Sequence, residues 1–188
     1  MSISESLEQS LIQHCSPTLA SLKPASLFTL PFSSRGELYA CLRDWNISLR
    51  DKGVAMTALR ENNGRALIYV FRKTRLRETL RSPKTASFLQ SSGYRGTNIG
   101  TALATLRSHL SALEDFPHEI GIFLGYPLDD VLGFIQNKGQ NCKCAGCWKV
   151  YCNEYEAAKT FARYKKCETI YMRLWKRGRS VRQLTVAA

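Results

Sequence analysis

The sequence lacks several features that would assign a function or a compartment directly. No run approaches the roughly 20 consecutive apolar residues that a membrane-spanning helix needs. The first residues carry Glu5 and Glu8, where a secretory signal peptide carries positive charge. No stretch forms a complete catalytic or cofactor motif, and the cysteines do not form the paired CxxC motifs of a zinc finger. We therefore expect a cytoplasmic protein with no membrane span, whose activity the sequence alone does not reveal.

Length and composition are those of an ordinary globular protein. The 188 residues are 44% hydrophobic and 22% charged, which predicts a single domain over 1–188. For the tail, 179–188, two alternatives stay open: it packs back through Val181 and Leu184, or it is loose. In a cytoplasmic protein the seven cysteines are expected to be thiols or ligands rather than disulfides.

The formal net charge of +12 is unevenly distributed along the chain. Residues 35–107 carry 14 basic and 5 acidic side chains, and residues 159–188 carry 9 and 1. Residues 108–158, by contrast, carry 3 basic and 7 acidic side chains. The two basic segments favour anionic partners such as nucleic acid, phosphorylated cofactors, carboxylates or an acidic protein. The alternative is that these lysines and arginines only keep the protein soluble.

Residue patterns predict an α+β fold with a small, mostly antiparallel sheet of about three or four strands packed by helices. Two β-rich runs, 54–59 and 66–71, flank Asn63-Gly64, which is the strongest short signal for a β-hairpin. The second run, ALIYVF, is too apolar for an exposed edge strand. Further strands are expected at 25–30 and 147–151.

Apolar residues at helical spacing predict helices over most of the remaining chain. We expect two short helices at the start, one at 4–13 capped by Ser4 and one that begins at Pro17, because proline is favoured in the first helical turn. The other expected helices lie at 34–51, in two pieces within 72–90, at 98–113, as a helical hairpin over 117–138, and at 153–177, which is the longest.

The helical hairpin over 117–138 has the outline of a DNA-binding helix-turn-helix. In its second helix, Leu128, Val131, Leu132 and Ile135 are expected to face the core. Asp129 and Asp130 fall in the first turn of that helix, where they complement its dipole but would be repelled by DNA phosphates. Sequence-specific DNA binding by this hairpin is therefore not expected.

A cysteine-bearing loop is the closest approach to a metal motif. Cys142, Cys144 and Cys147 lie within six residues, and clustered thiolates suit zinc or an iron–sulfur cluster. Because side chains alternate along a strand, only three thiols of this region converge, and a fourth ligand would come from His118 or Cys15. Three alternatives stay open: a metal site, unliganded thiols, and thiol redox chemistry.

Cys15 and Arg95 are isolated candidates for a site, and His109 is expected to lie on the surface. Cys15 is a candidate nucleophile beside His14, but adjacent helical residues point about 100° apart, which favours a buried structural cysteine. Arg95 lies in a Gly-flanked loop ahead of a helix, where backbone N–H groups and a guanidinium could bind phosphate or carboxylate. His109 lies off the apolar stripe of its helix and is expected to be exposed.

Four long segments resemble a known bacterial family. They are HCSPTLASLKPASLF, FPHEIGIFLGYPLDDVLGFI, NKGQN and GCWKVYCNEYEAAKTFARYKKC. The family is filed as domain of unknown function 3793 and occurs mostly in anaerobes, and the resemblance spans nearly the whole chain. It implies no particular activity. It does argue against a metal site in the cysteine loop as a function shared by the family, because relatives often have aromatic or aliphatic residues at positions 142, 144 and 147.

The resemblance moves attention to the residues that match the family pattern. Those expected to bind a ligand, in addition to Arg95, are His14, Lys23, Trp148, Lys149 and Tyr151. Those expected to serve as nucleophile or acid–base groups are Cys15, His118 and Glu119.

Three hypotheses from different functional classes follow. The favoured one is a small cytoplasmic binding or accessory protein for a metal, iron, haem or another redox cofactor, in which the ligand lies between HEIGIFLGYP and WKVY and the partner is an anionic ligand or a redox protein. The second is a binder of nucleic acid or an acidic protein that uses the basic segments 72–81 and 159–182. The third is an enzyme with a Cys or His/Glu active site.

Overall fold

The structure is a computed structural model that describes residues 2–112 and 116–187. Its elements confirm the α+β fold. In chain order they are α1 (Ile3–Leu19), β1 (Ala25–Pro31), α2 (Arg35–Ser48), a 3-10 helix (Arg50–Lys52), β2 (Val54–Asn62), β3 (Arg65–Arg72), α3 (Lys73–Arg81), α4 (Pro83–Ser91), α5 (Ile99–Ala112), α6 (Ile120–Phe123), α7 (Leu128–Gln136), β4 (Cys144–Ala145), β5 (Lys149–Val150), α8 (Glu154–Lys176) and α9 (Val181–Leu184). Within the described ranges, no helix has the length and hydropathy needed to cross a membrane.

Backbone contacts divide the chain into two compact units. One comprises residues 1–76 and 167–188, and the other comprises residues 77–166. Helices α3 and α8 each contain residues of both units. The single domain expected over 1–188 stays a prediction.

The first unit contains a three-stranded antiparallel sheet in the order β1-β3-β2. Strand β3 is the central strand, as expected from its run of apolar residues, which are buried. Asn63 and Gly64 connect β2 to β3 with φ values of 48° and 71°, as expected for a hairpin turn of type I′. The hairpin predicted at 54–59 and 66–71 is therefore confirmed, with each strand extended by one to three residues.

The core of the first unit lies against this sheet. Helix α1 contacts β1 and β3, and α2 contacts β2. Leucine and isoleucine side chains of both helices form one cluster with the inward residues of the strands. Val181 and Leu184 of α9 belong to the same cluster, so the tail packs back rather than lying loose.

The prediction of two short helices at the start of the chain is wrong. Helix α1 runs without a break, and its N-cap is Ser2 rather than Ser4, in a capping box with Glu5. Pro17 lies in the last turn of α1, where its missing N–H removes only one helical hydrogen bond. Because Leu11, Ile12 and Cys15 continue the buried face up to this turn, packing keeps the segment in one helix.

Arg72, at the end of β3, is the largest fully buried side chain of the described residues. Its guanidinium donates hydrogen bonds to the backbone carbonyls of Thr18 at 2.8 Å, Lys52 at 3.0 Å and Val186 at 2.9 Å, and also to that of Leu19. Burial lowers the pKa of this guanidinium. One side chain thus joins the end of α1, the 3-10 helix and the C-terminal tail.

The second unit is mainly helical. The expected helical hairpin is present as α6 and α7, joined at Gly125 with a φ of 79°. The strand predicted at 147–151 is reduced to β5, which pairs with β4 in a separate antiparallel ladder. The long C-terminal helix is confirmed as α8, and Asn153 caps it by accepting a hydrogen bond from the Glu156 backbone at 3.2 Å. The predicted end of α5 at 113 falls outside the described residues.

The face of α7 that packs inward differs from the predicted one. Its buried residues are Asp130, Val131 and Gly133. Ile135, which was expected in the core, is 36% exposed. The apolar stripe is misleading here because Ile135 lies in the wall of a cavity instead of in the core.

Candidate functional site

A cavity of about 580 Å³ opens in the second unit beside α6, α7 and β5. Its wall consists mainly of aromatic and aliphatic residues: Phe116, Pro117, Ile120, Gly121, Tyr126, Val131, Phe134, Ile135 and Trp148. Its other lining residues are His118, Asp130, Lys138 and Lys149. Small-molecule sites have this size and this combination of an apolar wall with a few polar groups.

Trp148 is held in the wall by neighbouring rings. It stacks on Tyr126, with 5.0 Å between ring centroids and 27° between the planes. Phe161 of α8 contacts it edge-on, at 4.6 Å and 79°. Burial, together with nearby Cys147 and Tyr164, raises the pKa of Tyr126 to about 12, so this part of the wall stays uncharged at neutral pH.

Asp130 fixes the position of the segment that carries Trp148. Its Oδ2 accepts a hydrogen bond from the Trp148 indole Nε1 at 2.7 Å. Its Oδ1 accepts from the backbone N–H of Tyr151 at 2.7 Å, from the backbone N–H of Cys152 at 2.9 Å and from the Cys152 thiol at 3.0 Å. Burial by itself would raise the pKa of the Asp130 carboxyl, but these hydrogen bonds outweigh it and hold the pKa below its usual value. The side chain therefore acts as a buried, ionised anchor.

Gly133 allows α7 to lie directly on the same segment. A Cβ at this position would lie 2.5 Å from the Tyr151 Cβ, far inside van der Waals contact. Tyr151 was predicted to bind a ligand, but it does not line the cavity. Its hydroxyl is buried without a hydrogen-bond partner among residues 2–112 and 116–187, and burial raises its pKa.

Lys149, predicted as a ligand-binding residue together with Trp148, lines the cavity beside it. Regular alternation along a strand would place these two side chains on opposite faces. Both reach the cavity because β5 is only two residues long and Trp148 precedes it. The Lys149 ammonium donates to the Gly139 carbonyl at 2.7 Å and lies 5.8 Å from the centroid of Phe134.

His118 and Glu119, adjacent in sequence, are not brought together as an acid–base pair. His118 is exposed, lines the cavity and contacts Phe134 with 5.4 Å between ring centroids. Glu119 is buried outside the cavity lining, where it accepts a hydrogen bond from the Tyr94 hydroxyl at 3.1 Å and pairs with His109 Nδ1 at 2.5 Å. The prediction that His109 is exposed is wrong, because the buried carboxylate of Glu119 draws its ring inward.

The other predicted residues near the start of the chain lie in the first unit. Cys15 is completely buried, and burial raises its pKa to about 12. Its thiol is therefore protonated at neutral pH, which is the environment of a structural cysteine rather than a nucleophile. His14 is exposed and stacks on Phe28 at 5.8 Å, and Lys23 is half-buried.

Arg95 is exposed in the loop between α4 and α5. The helix that follows is already capped, because the Asn98 carboxamide oxygen accepts hydrogen bonds from the backbone N–H groups of Gly100 at 2.8 Å and Thr101 at 3.4 Å. The donors that an anion would use are thus engaged by a side chain of the protein.

The cysteine loop is not assembled as a metal site. Cys142 and Cys144 are half-buried and Cys147 is exposed. In the described part of the chain, no group of three or more His, Cys, Asp or Glu side chains is arranged to bind a metal ion. The predicted ligation by these three thiols is not confirmed.

Several cavity residues were not predicted from the sequence. They are Asp130, Phe134 and Lys138, whereas Tyr126 belongs to the segment HEIGIFLGYP beside which the ligand was expected. One sequence signal could have indicated Asp130: Gly133 lies three residues later, on the same face of α7, and a glycine inside a helix often marks a close approach. No comparable signal exists for Phe134 or Lys138.

Comparison with known proteins places the chain in a family but gives no named relative. No curated protein and no solved structure matches the chain. The model of a family described as Protein of unknown function (DUF3793) matches residues 11–185, a range that includes every residue of the cavity wall. This chain belongs to the DUF3793 family.

Proposed function

We propose that this protein is a cytoplasmic binding protein for a small, planar organic molecule, which it holds in the cavity beside α7. The observation that carries the proposal is a cavity of about 580 Å³ whose wall contains the rings of Phe116, Tyr126, Phe134 and Trp148. Burial of apolar surface supplies about 25 cal/mol per Å². Offset or edge-on contact between rings adds about 0.5–1.5 kcal/mol per pair. A flat, conjugated ligand uses both contributions.

The rigidity of the wall supports the same proposal. Trp148 is fixed by its hydrogen bond to Asp130 and by the rings of Tyr126 and Phe161. Ordering a side chain on binding costs about 0.5–1.5 kcal/mol per side chain. Because these side chains are already ordered, ligand binding does not incur this cost.

The residues that line the cavity favour some of the cofactors expected from the sequence over others. The cavity offers a flat apolar surface to the organic part of a redox cofactor. It offers one imidazole, that of His118, while the Asp130 carboxylate is engaged by four donors. The arrangement therefore favours a planar organic ligand, including a planar redox cofactor or the ring of haem, over zinc or an iron–sulfur cluster.

Filling the cavity is expected to weaken this binding. The change is Ile135→Trp, because Ile135 lines the cavity and is 36% exposed, so an indole fits there without disturbing the core. The probe is N-phenyl-1-naphthylamine, a neutral planar molecule whose fluorescence rises in apolar surroundings. Wild-type protein should bind it saturably with one site per chain, and the variant should bind at least about tenfold more weakly, a difference of about 1.4 kcal/mol.

The control is Ile47→Trp, which places the same side chain at a position on α2 that is 66% exposed and does not line the cavity. Its affinity for the probe should match that of the wild type. The proposal is wrong if wild-type protein does not bind the probe, or if Ile135→Trp binds it as tightly as Ile47→Trp does.

A further inference from the structure

We infer that the ligand of this cavity is a planar aromatic anion, whose negative group is bound by Lys149 and Lys138 while its rings lie against the aromatic wall. The inference rests on the function proposed above, because it names the chemical class of the ligand for the same cavity. Both lysines line the cavity and are exposed, so they stand where the cavity meets solvent.

The charge of the cavity wall is the first argument. The wall contains Lys138, Lys149 and one carboxylate, that of Asp130. Both carboxylate oxygens accept hydrogen bonds from the segment that carries Trp148, so Asp130 is directed toward the protein rather than toward a ligand. The charge that the wall presents to a ligand is therefore positive.

The distribution of charge along the sequence is the second argument. Residues 108–158 carry 7 acidic and only 3 basic residues, the latter being Lys138, Lys143 and Lys149. Two of these three line the cavity. Their position gives the cavity a local positive charge within an acidic segment, and such a charge attracts an anionic ligand.

The position of the Lys149 ammonium is the third argument. Its hydrogen bond to the Gly139 carbonyl at 2.7 Å uses one of the three N–H donors of an ammonium group. The same group lies 5.8 Å from the centre of the Phe134 ring. A cation fixed beside an aromatic ring is suited to a ligand that combines a ring with a negative group, because little side-chain freedom is lost on binding.

A purely structural role for Lys149 makes a different prediction, and the chain offers a matched control. Lys143 also donates to a backbone carbonyl, that of Cys152, at 2.7 Å, but it does not line the cavity. If Lys149 only tied its strand to the loop after α7, replacing either lysine would have similar consequences for ligand binding.

The test compares two probes that share one ring system. N-phenyl-1-naphthylamine is neutral, and 8-anilinonaphthalene-1-sulfonate adds a single negative charge to the same frame. In Lys149→Met the affinity for the sulfonate should fall about 5- to 10-fold, as expected for loss of a charged hydrogen bond at a partly exposed site. The affinity for the neutral probe should stay within about twofold, and Lys143→Met should change neither. As salt is added, the affinity of wild-type protein for the sulfonate should fall, whereas its affinity for the neutral probe should not.

The outcomes separate the two proposals. The inference of an anionic ligand is overturned if Lys149→Met lowers the affinity for both probes equally, or if it lowers the affinity for neither. Wild-type binding of both probes with the same affinity and no salt dependence also overturns it, while the proposed function stands. Failure of N-phenyl-1-naphthylamine to bind wild-type protein overturns the proposed function itself, whether or not the sulfonate binds.

Discussion

Replacing Arg72 by methionine is expected to lower the free energy of unfolding by about 4 kcal/mol, since a buried carbonyl left without a donor costs about 1–3 kcal/mol. The guanidinium serves the carbonyls of Thr18, Leu19, Lys52 and Val186. Of these four, only the carbonyls of Thr18 and Leu19 also accept from a backbone N–H of the described residues. Methionine fills much of the same volume but donates no hydrogen bond. The measurement is urea denaturation followed by circular dichroism at neutral pH.

Arg75→Met is the control for this substitution. Arg75 is exposed and donates to the Ser21 hydroxyl at 3.2 Å, so its replacement should change stability by no more than about 0.5 kcal/mol. Similar denaturation midpoints for the two variants would contradict the role assigned to Arg72.

Replacing Asp130 by asparagine is expected to cost about 3 kcal/mol at neutral pH and to weaken binding in the cavity. Asparagine keeps the shape of the side chain but loses the charge, and one of its two terminal atoms becomes a donor that faces other donors. Removing one member of a buried, charged hydrogen-bond network lowers the free energy of unfolding by about this much. Because the indole of Trp148 is among these partners, the affinity for N-phenyl-1-naphthylamine should fall together with stability.

The cost of Asp130→Asn should depend on pH with a definite sign. The folded protein holds the pKa of Asp130 below its usual value, so the ionised carboxylate stabilises the fold fully above the pKa of the unfolded chain, about 3.9. This contribution is lost as pH falls through the lower, folded value. The stability difference between wild type and variant should therefore be largest near neutrality and shrink in acid.

Asp129→Asn is the matched control, one position earlier in the same helical turn. Asp129 is exposed and contributes through the helix dipole, about 0.3–1 kcal/mol. An equal cost for the two substitutions, or a cost at Asp130 that grows in acid, would contradict the account of Asp130 as a buried anchor.

The parts of the fold that were predictable depend on short-range patterns. The hairpin followed from Asn63-Gly64, because the turn requires positive φ at both residues. The long C-terminal helix followed from its Asn153 cap and the apolar spacing after it. The split of α1 was wrong because the local rule for Pro17 ignored the packing that continues around it.

The candidate site was less predictable because it depends on long-range docking. Asp130 meets its partners 18 to 22 residues later in the chain, and an aspartate in a first helical turn has a sufficient local explanation in the helix dipole. Apolar periodicity likewise placed Ile135 in a core, whereas it lies in a cavity wall. Trp148 and Lys149 were identified through the family resemblance rather than through any chemistry visible in their spacing.

The most direct test of the central claim, that the cavity beside α7 is the ligand site, locates a bound probe. The chain has three tryptophans, of which Trp148 lines the cavity while Trp45 and Trp175 belong to the first unit. Protein labelled with nitrogen-15 in tryptophan gives one indole N–H signal for each. On titration with N-phenyl-1-naphthylamine, the Trp148 signal should shift and saturate at one equivalent, while those of Trp45 and Trp175 stay in place. A shift at Trp45 or Trp175 with none at Trp148 would contradict the account.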